Sequence, residues 1–288
     1  MAQAQLPDLS QLLTDAWKLT KERFWLLLLL WLVQWTIITL IVIGAIALSL
    51  GGSLGSLFTS PTKFTAITTA ANNNDFMTAF LASFGSAIIT AILILLLISL
   101  ILGPFFQAAD IALAAGKKKI GIGEALRRGW QQFIPVLVAG LVMAFMVFGG
   151  LFPLVVPGIV FAILFNFALF EIVLHNASPM QALRNSAGMV KQHFWPVVGR
   201  LVVLMALAVG IEVIRASLNR TQQPLSLLIS LALSLSFSAF SLMYSVALYK
   251  QLKAVAAGAT LKLNVITIFS VIGWTGLFLL IANAVRSI

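Results

Sequence analysis

A chain of 288 residues that is 61% hydrophobic and only 9% charged cannot be a water-soluble globule, whose charged fraction is typically ~25%. Its net charge of +10 would suit a polyanion. The cations, however, flank apolar runs and form no patch interleaved with aromatics, so anionic lipid headgroups are the expected partners and nucleic acid is not. With no cysteine in the chain, disulfides, thiolate metal sites and cysteine nucleophiles are excluded.

A helix needs ~20 apolar residues to cross the hydrocarbon core of a bilayer. Taken in chain order, residues 24–50 are uncharged and long enough. Residues 76–109 are also uncharged, with a bend expected at Gly103 and Pro104. Between Arg128 and Glu171 lies room for two crossings, interrupted by Gly149, Gly150, Pro153, Pro157 and Gly158, which reads as a turn between antiparallel helices. Residues 196–214, with Arg200 near the start, form a fifth span, and 224–249 a sixth. Residues 264–285 form a seventh that either crosses or rests in the interface. No stretch is polar enough for a separate soluble domain. The first apolar run is longer than the ~7–15 residues of a signal-peptide core. The expectation is an all-α polytopic membrane helix bundle of six to seven transmembrane helices, a single membrane domain over residues 1–288.

Cytoplasmic loops carry an excess of Lys and Arg. With the N-terminus inside, Lys18, Lys21, Arg23, Lys117, Lys118, Lys119, Arg127, Arg128, Arg184, Lys191, Arg200, Lys250, Lys253 and Lys262 fall on the inner side. Lys63, Arg215, Arg220 and Arg286 fall on the outer side. This asymmetry sets the predicted orientation.

Three inner segments resemble one another: Ala16 to Phe24 and Trp25, Ala125 to Phe133, and Ala182 to Phe194 and Trp195. Each has helical apolar periodicity. Ile122, Ala125, Leu126, Gly129, Trp130 and Phe133 share one face, and Met180, Leu183, Ala187, Val190 and Phe194 another. Ser178 and Pro179 supply a cap and a first-turn proline, with Gln181 placed for a capping box. Such helices can rest in the interface with their cations at headgroup level. The predicted organisation is three cytoplasmic-side interfacial helices, each introducing a hairpin, in a threefold internal repeat over 10–116, 121–175 and 178–254.

From Pro157, Gly158 and Ile159 through Glu171, Gln181, Ala182, Leu183, Arg184, Asn185, Ser186, Lys191, Phe194 and Trp195, the chain resembles a known pattern. It is that of the membrane domain attached to some glycerophosphoryl diester phosphodiesterases, and of related bacterial multi-pass proteins. The likeness covers roughly residues 10–255 and implies a bacterial inner-membrane location. Relatives often place a basic residue in the span after Pro-Gly-Ile, where this chain has none in 160–167. The family's catalytic domain is a separate barrel of ~250 residues, for which the expected single membrane domain leaves no room.

Phosphodiester hydrolysis would need carboxylates and histidines gathered around a metal. Eight acidic residues and two histidines are scattered along the chain, so neither an enzyme nor a cofactor is expected. Glu171 and Asp110 are the candidate functional ionisable groups. Glu171 is expected to pair with Arg184 or a headgroup, and Glu212 with Arg215 one turn on. Lys18, Lys21, Arg23, Lys117, Lys118, Lys119, Arg127, Arg128, Arg184, Lys191 and Arg200 are candidate headgroup contacts. The leading reading is a non-enzymatic membrane protein that organises or contacts lipids or partner membrane proteins at the cytoplasmic interface. A transporter or channel, and more remotely an intramembrane lipid enzyme, remain open.

Overall fold

The computed structural model describes residues 6–59, 76–116, 120–151, 155–220, 223–256 and 258–286. Among these residues the regular structure is all helix, with no strand. The helices are α1 (Leu9–Thr59), α2 (Phe76–Ala115), α3 (Ile122–Leu151), α4 (Val155–Phe165), α5 (Ala168–His175), α6 (Pro179–Gln192), α7 (Phe194–Asn219), α8 (Pro224–Val255) and α9 (Asn264–Arg286). Six stretches are long and apolar enough to cross a membrane: Leu9–Ala45, Ile88–Ala115, Ile122–Leu151, Val155–His175, Phe194–Asn219 and Pro224–Val255. The protein is thus a multi-pass, all-α membrane protein. Within α9 the apolar stretch Ile266–Leu279 is shorter.

Backbone polar groups cannot go unpaired in hydrocarbon, and helices satisfy them internally. Several hydroxyls in these helices follow the same rule. Thr20 donates to the carbonyl of Ala16, Thr36 to Leu32, Ser99 to Leu95, Ser217 to Val213 and Thr275 to Val271. Each is bonded one turn back, without need of water.

The chain forms two compact units. One, Leu30–Gly103, comprises most of α1 and α2, and its boundary in α2 falls between Gly103 and Pro104. Leu32, Trp35, Leu40, Ile43, Ile92, Leu96 and Leu100 are exposed there, as suits surfaces solvated by acyl chains. The other unit, Met1–Leu29 with Pro104–Ile288, holds the core. Its buried residues include Phe106, Ala109 and Leu113 of α2, Ile172 of α5, Leu183 and Ala187 of α6, and Tyr244 and Leu252 of α8.

The α3–α4 pair is the predicted antiparallel hairpin. A side chain at Gly150 would bring its Cβ within 2.7 Å of the Phe161 ring and 3.1 Å of the Gly158 Cα, so the close approach of the two helices requires glycine here. Pro153 lies outside the described residues.

The three amphipathic segments differ in form. The first two are simply the opening turns of α1 and α3, each continuous with its span; in α3 the helix carries on through Gly129 and Pro135. Only the third, α6, is a helix of its own, ending at His193 where φ is −127° and ψ 38°. It is covered by protein on most sides: Ala182, Leu183, Ser186, Ala187, Gly188, Met189 and Val190 are all buried, against α3, α4, α5, α7 and α8. Hydropathy marks an apolar face but does not say whether lipid or protein covers it.

Helix α9 packs against α3. Ser270 donates to the Met146 carbonyl at 3.0 Å and the Trp274 indole N–H to the Phe145 carbonyl at 3.0 Å. The Phe145 and Trp274 rings stack at 5.3 Å. The absence of a side chain at Gly149 admits this contact, since a Cβ there would lie 2.7 Å from the Ser270 carbonyl oxygen.

Candidate functional site

The principal polar cluster is built where α5, α6 and α8 meet. Helices α4 and α5 are separated by a break at Asn166 and Phe167, which frees backbone groups that need new partners. Ser186 of α6 supplies them: its hydroxyl donates to the Leu164 carbonyl at 2.7 Å and accepts the Phe167 N–H at 3.2 Å. This seats α6 against α5 and places Asn185 beside Glu171.

Glu171 is 1% exposed. Its Oε1 accepts the Tyr249 hydroxyl at 2.6 Å and the Lys253 ammonium at 2.6 Å, and its Oε2 accepts the Asn185 amide at 3.0 Å. The Tyr249 hydroxyl also lies 3.0 Å from His175 Nδ1, and its ring stacks on Phe170 at 5.2 Å. Tyr249 and Lys253 are one turn apart on α8 and so present both donors on one face. A buried carboxylate is tolerable when paired and hydrogen-bonded in this way. The partner is Lys253 and not the expected Arg184, because α8 packs over α5 while Arg184 is exposed on α6.

Beside the cluster opens a cleft of about 760 Å³, lined by Ala115, Gly116, Ile120, Arg128, Leu174, His175, Tyr249, Lys250, Lys253 and Ala254. Arg128 is shared with Glu124, which also binds Arg127, at 3.0 and 2.9 Å. A smaller cleft of about 340 Å³ shares Lys250 and is lined also by Asp15, Lys18 and Glu22.

The candidate headgroup residues divide into three groups. Lys18, Lys21, Arg127, Arg184 and Lys191 are exposed, and Arg128 is half-buried. Lys21 sits 5.2 Å over the Trp17 ring. Arg23 departs from expectation: it is 7% exposed, and its guanidinium donates to the carbonyls of Leu113 and, at 2.7 Å, Gly116. The terminal carbonyls of α2 lack partners within the helix, and Arg23 satisfies them. Arg200 is likewise turned to backbone, at the Pro196 carbonyl (3.0 Å) and the Pro7 carbonyl (2.5 Å). Lys117, Lys118 and Lys119 lie outside the described residues.

Asp110 is half-buried in α2. The expected pair of Glu212 and Arg215 forms at 2.5 Å. Among the described residues no group of three or more His, Asp or Glu is placed to hold a metal ion.

Sequence reasoning missed Tyr249, Asn185 and Lys253 as members of this cluster. It also missed an aromatic feature at the same end. Trp25, Trp130 and Trp195 are 71%, 72% and 78% exposed, each close to exposed cations at the start of a span. The contacts of Arg23 with Gly116, Gln251 with Asp15, Gln132 with Asn176 and Lys253 with Glu171 bring these helix ends together.

A family model for a domain of unknown function (DUF7847) matches residues 120–252, a little under half of the chain. The match takes in Glu171, Asn185, Ser186 and Tyr249 and stops one residue short of Lys253. No curated protein matches this chain, and no solved structure does.

Proposed function

We propose that this protein is a non-enzymatic component of a bacterial inner membrane, with its N-terminus in the cytoplasm, that contacts and organises anionic lipid at the cytoplasmic interface. The observation that carries this reading is the pairing of exposed tryptophans with exposed cations at one end of the bundle. Trp17, Trp25, Trp130 and Trp195 accompany Lys18, Lys21, Arg127 and Lys191. Tryptophan is enriched at headgroup level, where its ring meets both apolar and polar surroundings. Lys and Arg beside it attract anionic lipid by about 1 kcal/mol each. The Phe24–Trp25 and Phe194–Trp195 pairs share an edge-on geometry, with centroids at 5.7 and 5.5 Å. That likeness supports kinship between the first and third repeat units, and with it the resemblance to the phosphodiesterase membrane domains.

The test is lipid retention in native mass spectrometry. Charge reversal at Lys18, Lys21, Arg127 and Lys191 together should strip phosphatidylglycerol from the protein while leaving phosphatidylcholine untouched. Unchanged phosphatidylglycerol retention would overturn the reading. The rival reading, a transporter for a small solute or lipid, draws on the cleft beside Glu171. Substrate flux in proteoliposomes that vanishes in Glu171→Gln would favour it.

A further inference from the structure

We propose that the cleft of about 760 Å³ selects anionic lipids whose phosphodiester carries a free hydroxyl, as a glycerol headgroup does, and that the selecting atom is His175 Nε2. The proposal rests on the lipid-contacting reading and adds to it one site and one headgroup chemistry.

A phenol has a single proton to donate. The Tyr249 oxygen lies 2.6 Å from Glu171 Oε1 and 3.0 Å from His175 Nδ1. Glu171 is ion-paired with Lys253 at 2.6 Å, and an ionised carboxylate only accepts. The Tyr249 proton therefore goes to Glu171. The Tyr249 oxygen then accepts from His175, which places the imidazole hydrogen on Nδ1. A neutral imidazole protonated at Nδ1 is an acceptor at Nε2. Glu171 thus sets, through Tyr249, the tautomer of a ring it does not bond directly: Nδ1 stands 4.0 Å from Oε1, beyond hydrogen-bonding distance.

Placement gives this acceptor its use. The His175 side chain is 47% exposed and lines the cleft. Nδ1 faces Tyr249, and among the described residues no hydrogen bond reaches Nε2. The charged side chains of the lining, Arg128, Lys250 and Lys253, only donate. The complement of Nε2 is a donor on the ligand, and a hydroxyl supplies one without bringing an ammonium up to Lys250 and Lys253. Charge does not choose the headgroup here: Glu124 holds Arg128, Glu171 holds Lys253, and Asp15 and Glu22 line the smaller cleft beside Lys250. The cations are donors for the phosphate of any anionic lipid, and the hydroxyl contact separates one such lipid from another. Ile120 and Leu174 offer apolar surface to the first methylenes. The volume falls within the ~300–1,000 Å³ of typical binding pockets.

The experiment uses the full chain in nanodiscs of phosphatidylcholine doped with either phosphatidylglycerol or phosphatidylpropanol, in mildly alkaline buffer that keeps imidazole neutral. Both dopants carry one negative charge and a three-carbon headgroup, and phosphatidylpropanol lacks the hydroxyls. Bound lipid is counted by native mass spectrometry. Wild-type protein should retain phosphatidylglycerol about fivefold better, the worth of one hydrogen bond. His175→Phe should abolish this preference and leave phosphatidylpropanol retention unchanged. His175→Gln, whose amide oxygen accepts near the place of Nε2, should restore part of it. Tyr249 is a positioning residue, and Tyr249→Phe should lower the preference, because nothing then holds the imidazole proton on Nδ1. Equal retention of the two lipids by the wild type, or a preference that survives His175→Phe, would overturn the site while leaving general anionic-lipid contact standing. Retention of neither over phosphatidylcholine would overturn both. Soluble glycerophosphoglycerol, titrated against the protein in pure phosphatidylcholine, separates the sources. Binding abolished by His175→Phe would support the site with the free diester as occupant, and no binding would leave the lipid as occupant. Binding unaffected by that change would count against the site.

Discussion

Glu171 shows how a charge is kept inside an apolar bundle. Taking a carboxylate and an ammonium out of water costs several kcal/mol per ion, which their attraction offsets only with close geometry and further hydrogen bonds. Here the geometry is close, at 2.6 Å, and Tyr249 and Asn185 occupy two further acceptor positions. Glu171→Leu would leave the Lys253 ammonium without its counter-ion. Because Lys253 is itself a third exposed, part of its hydration returns, and we expect a loss of about 2–3 kcal/mol, below the usual range for a broken buried pair. Thermal unfolding in detergent, followed by tryptophan fluorescence, should show it as a lowered Tm. Lys253→Met in the same chain should restore at least ~1 kcal/mol, since residues in one network do not act additively. Strict additivity of the two changes would mean the pair carries no coupling. Much of this was closed to sequence reasoning. Glu171 stood out because a carboxylate in an apolar run is rare, but Lys253 lies 82 positions away in the chain. Only the packing of α8 on α5 brings them together.

At the scale of elements, α6 and α9 are each held by a specific polar contact. Ser186 is fully buried and serves the break between α4 and α5 from both sides. Ser186→Ala would orphan the Phe167 N–H in the interior, at a cost of about 1–3 kcal/mol, and should speed amide exchange around residues 164–168 before the rest of the chain. Uniform exchange across α4 and α5 would deny the serine that role. For α9, the absence of cysteine makes a clean assay available. Cysteines at Met146 and Ser270 should be joined by a short bis-maleimide, because the Ser270 hydroxyl now touches the Met146 carbonyl. Gly149→Leu should abolish that cross-link by driving α9 from α3; a persisting cross-link would show that α9 docks by other means. These elements were unequally legible. The α3–α4 turn is written in its glycines and prolines, whose backbone chemistry acts locally. The Glu212 and Arg215 pair was legible for the same reason, one turn apart on a single helix. The burial of α6 was not, because an apolar stripe facing protein and one facing lipid have the same composition, acyl chains being as apolar as leucine.

For the whole molecule, composition alone required a membrane, and among the described residues six stretches are long and apolar enough to cross one. Orientation is a separate matter, because nothing in helix packing distinguishes the two faces of a bilayer. It depends on the distribution of Lys and Arg, and on the fact that moving many cations across a membrane is disfavoured. With an even number of crossings, the described N-terminal residues and the end of α8 share a side, as their contacts require: Gln251 meets Asp15, and Arg200 meets Pro7. Single cysteines in the otherwise cysteine-free chain then report sidedness through a membrane-impermeant maleimide. Asp8→Cys and Ser178→Cys should react only after the cell membrane is permeabilised, whereas Arg220→Cys should react in intact cells. The reverse pattern would invert the protein and place the basic cleft and the tryptophans at the outer leaflet. Arg286→Cys decides the seventh helix: labelling in intact cells means that α9 crosses, and protection means that it stays with the inner face. Since α9 is bound to the last turns of α3, which approach the outer side in the predicted orientation, labelling in intact cells is the outcome we expect.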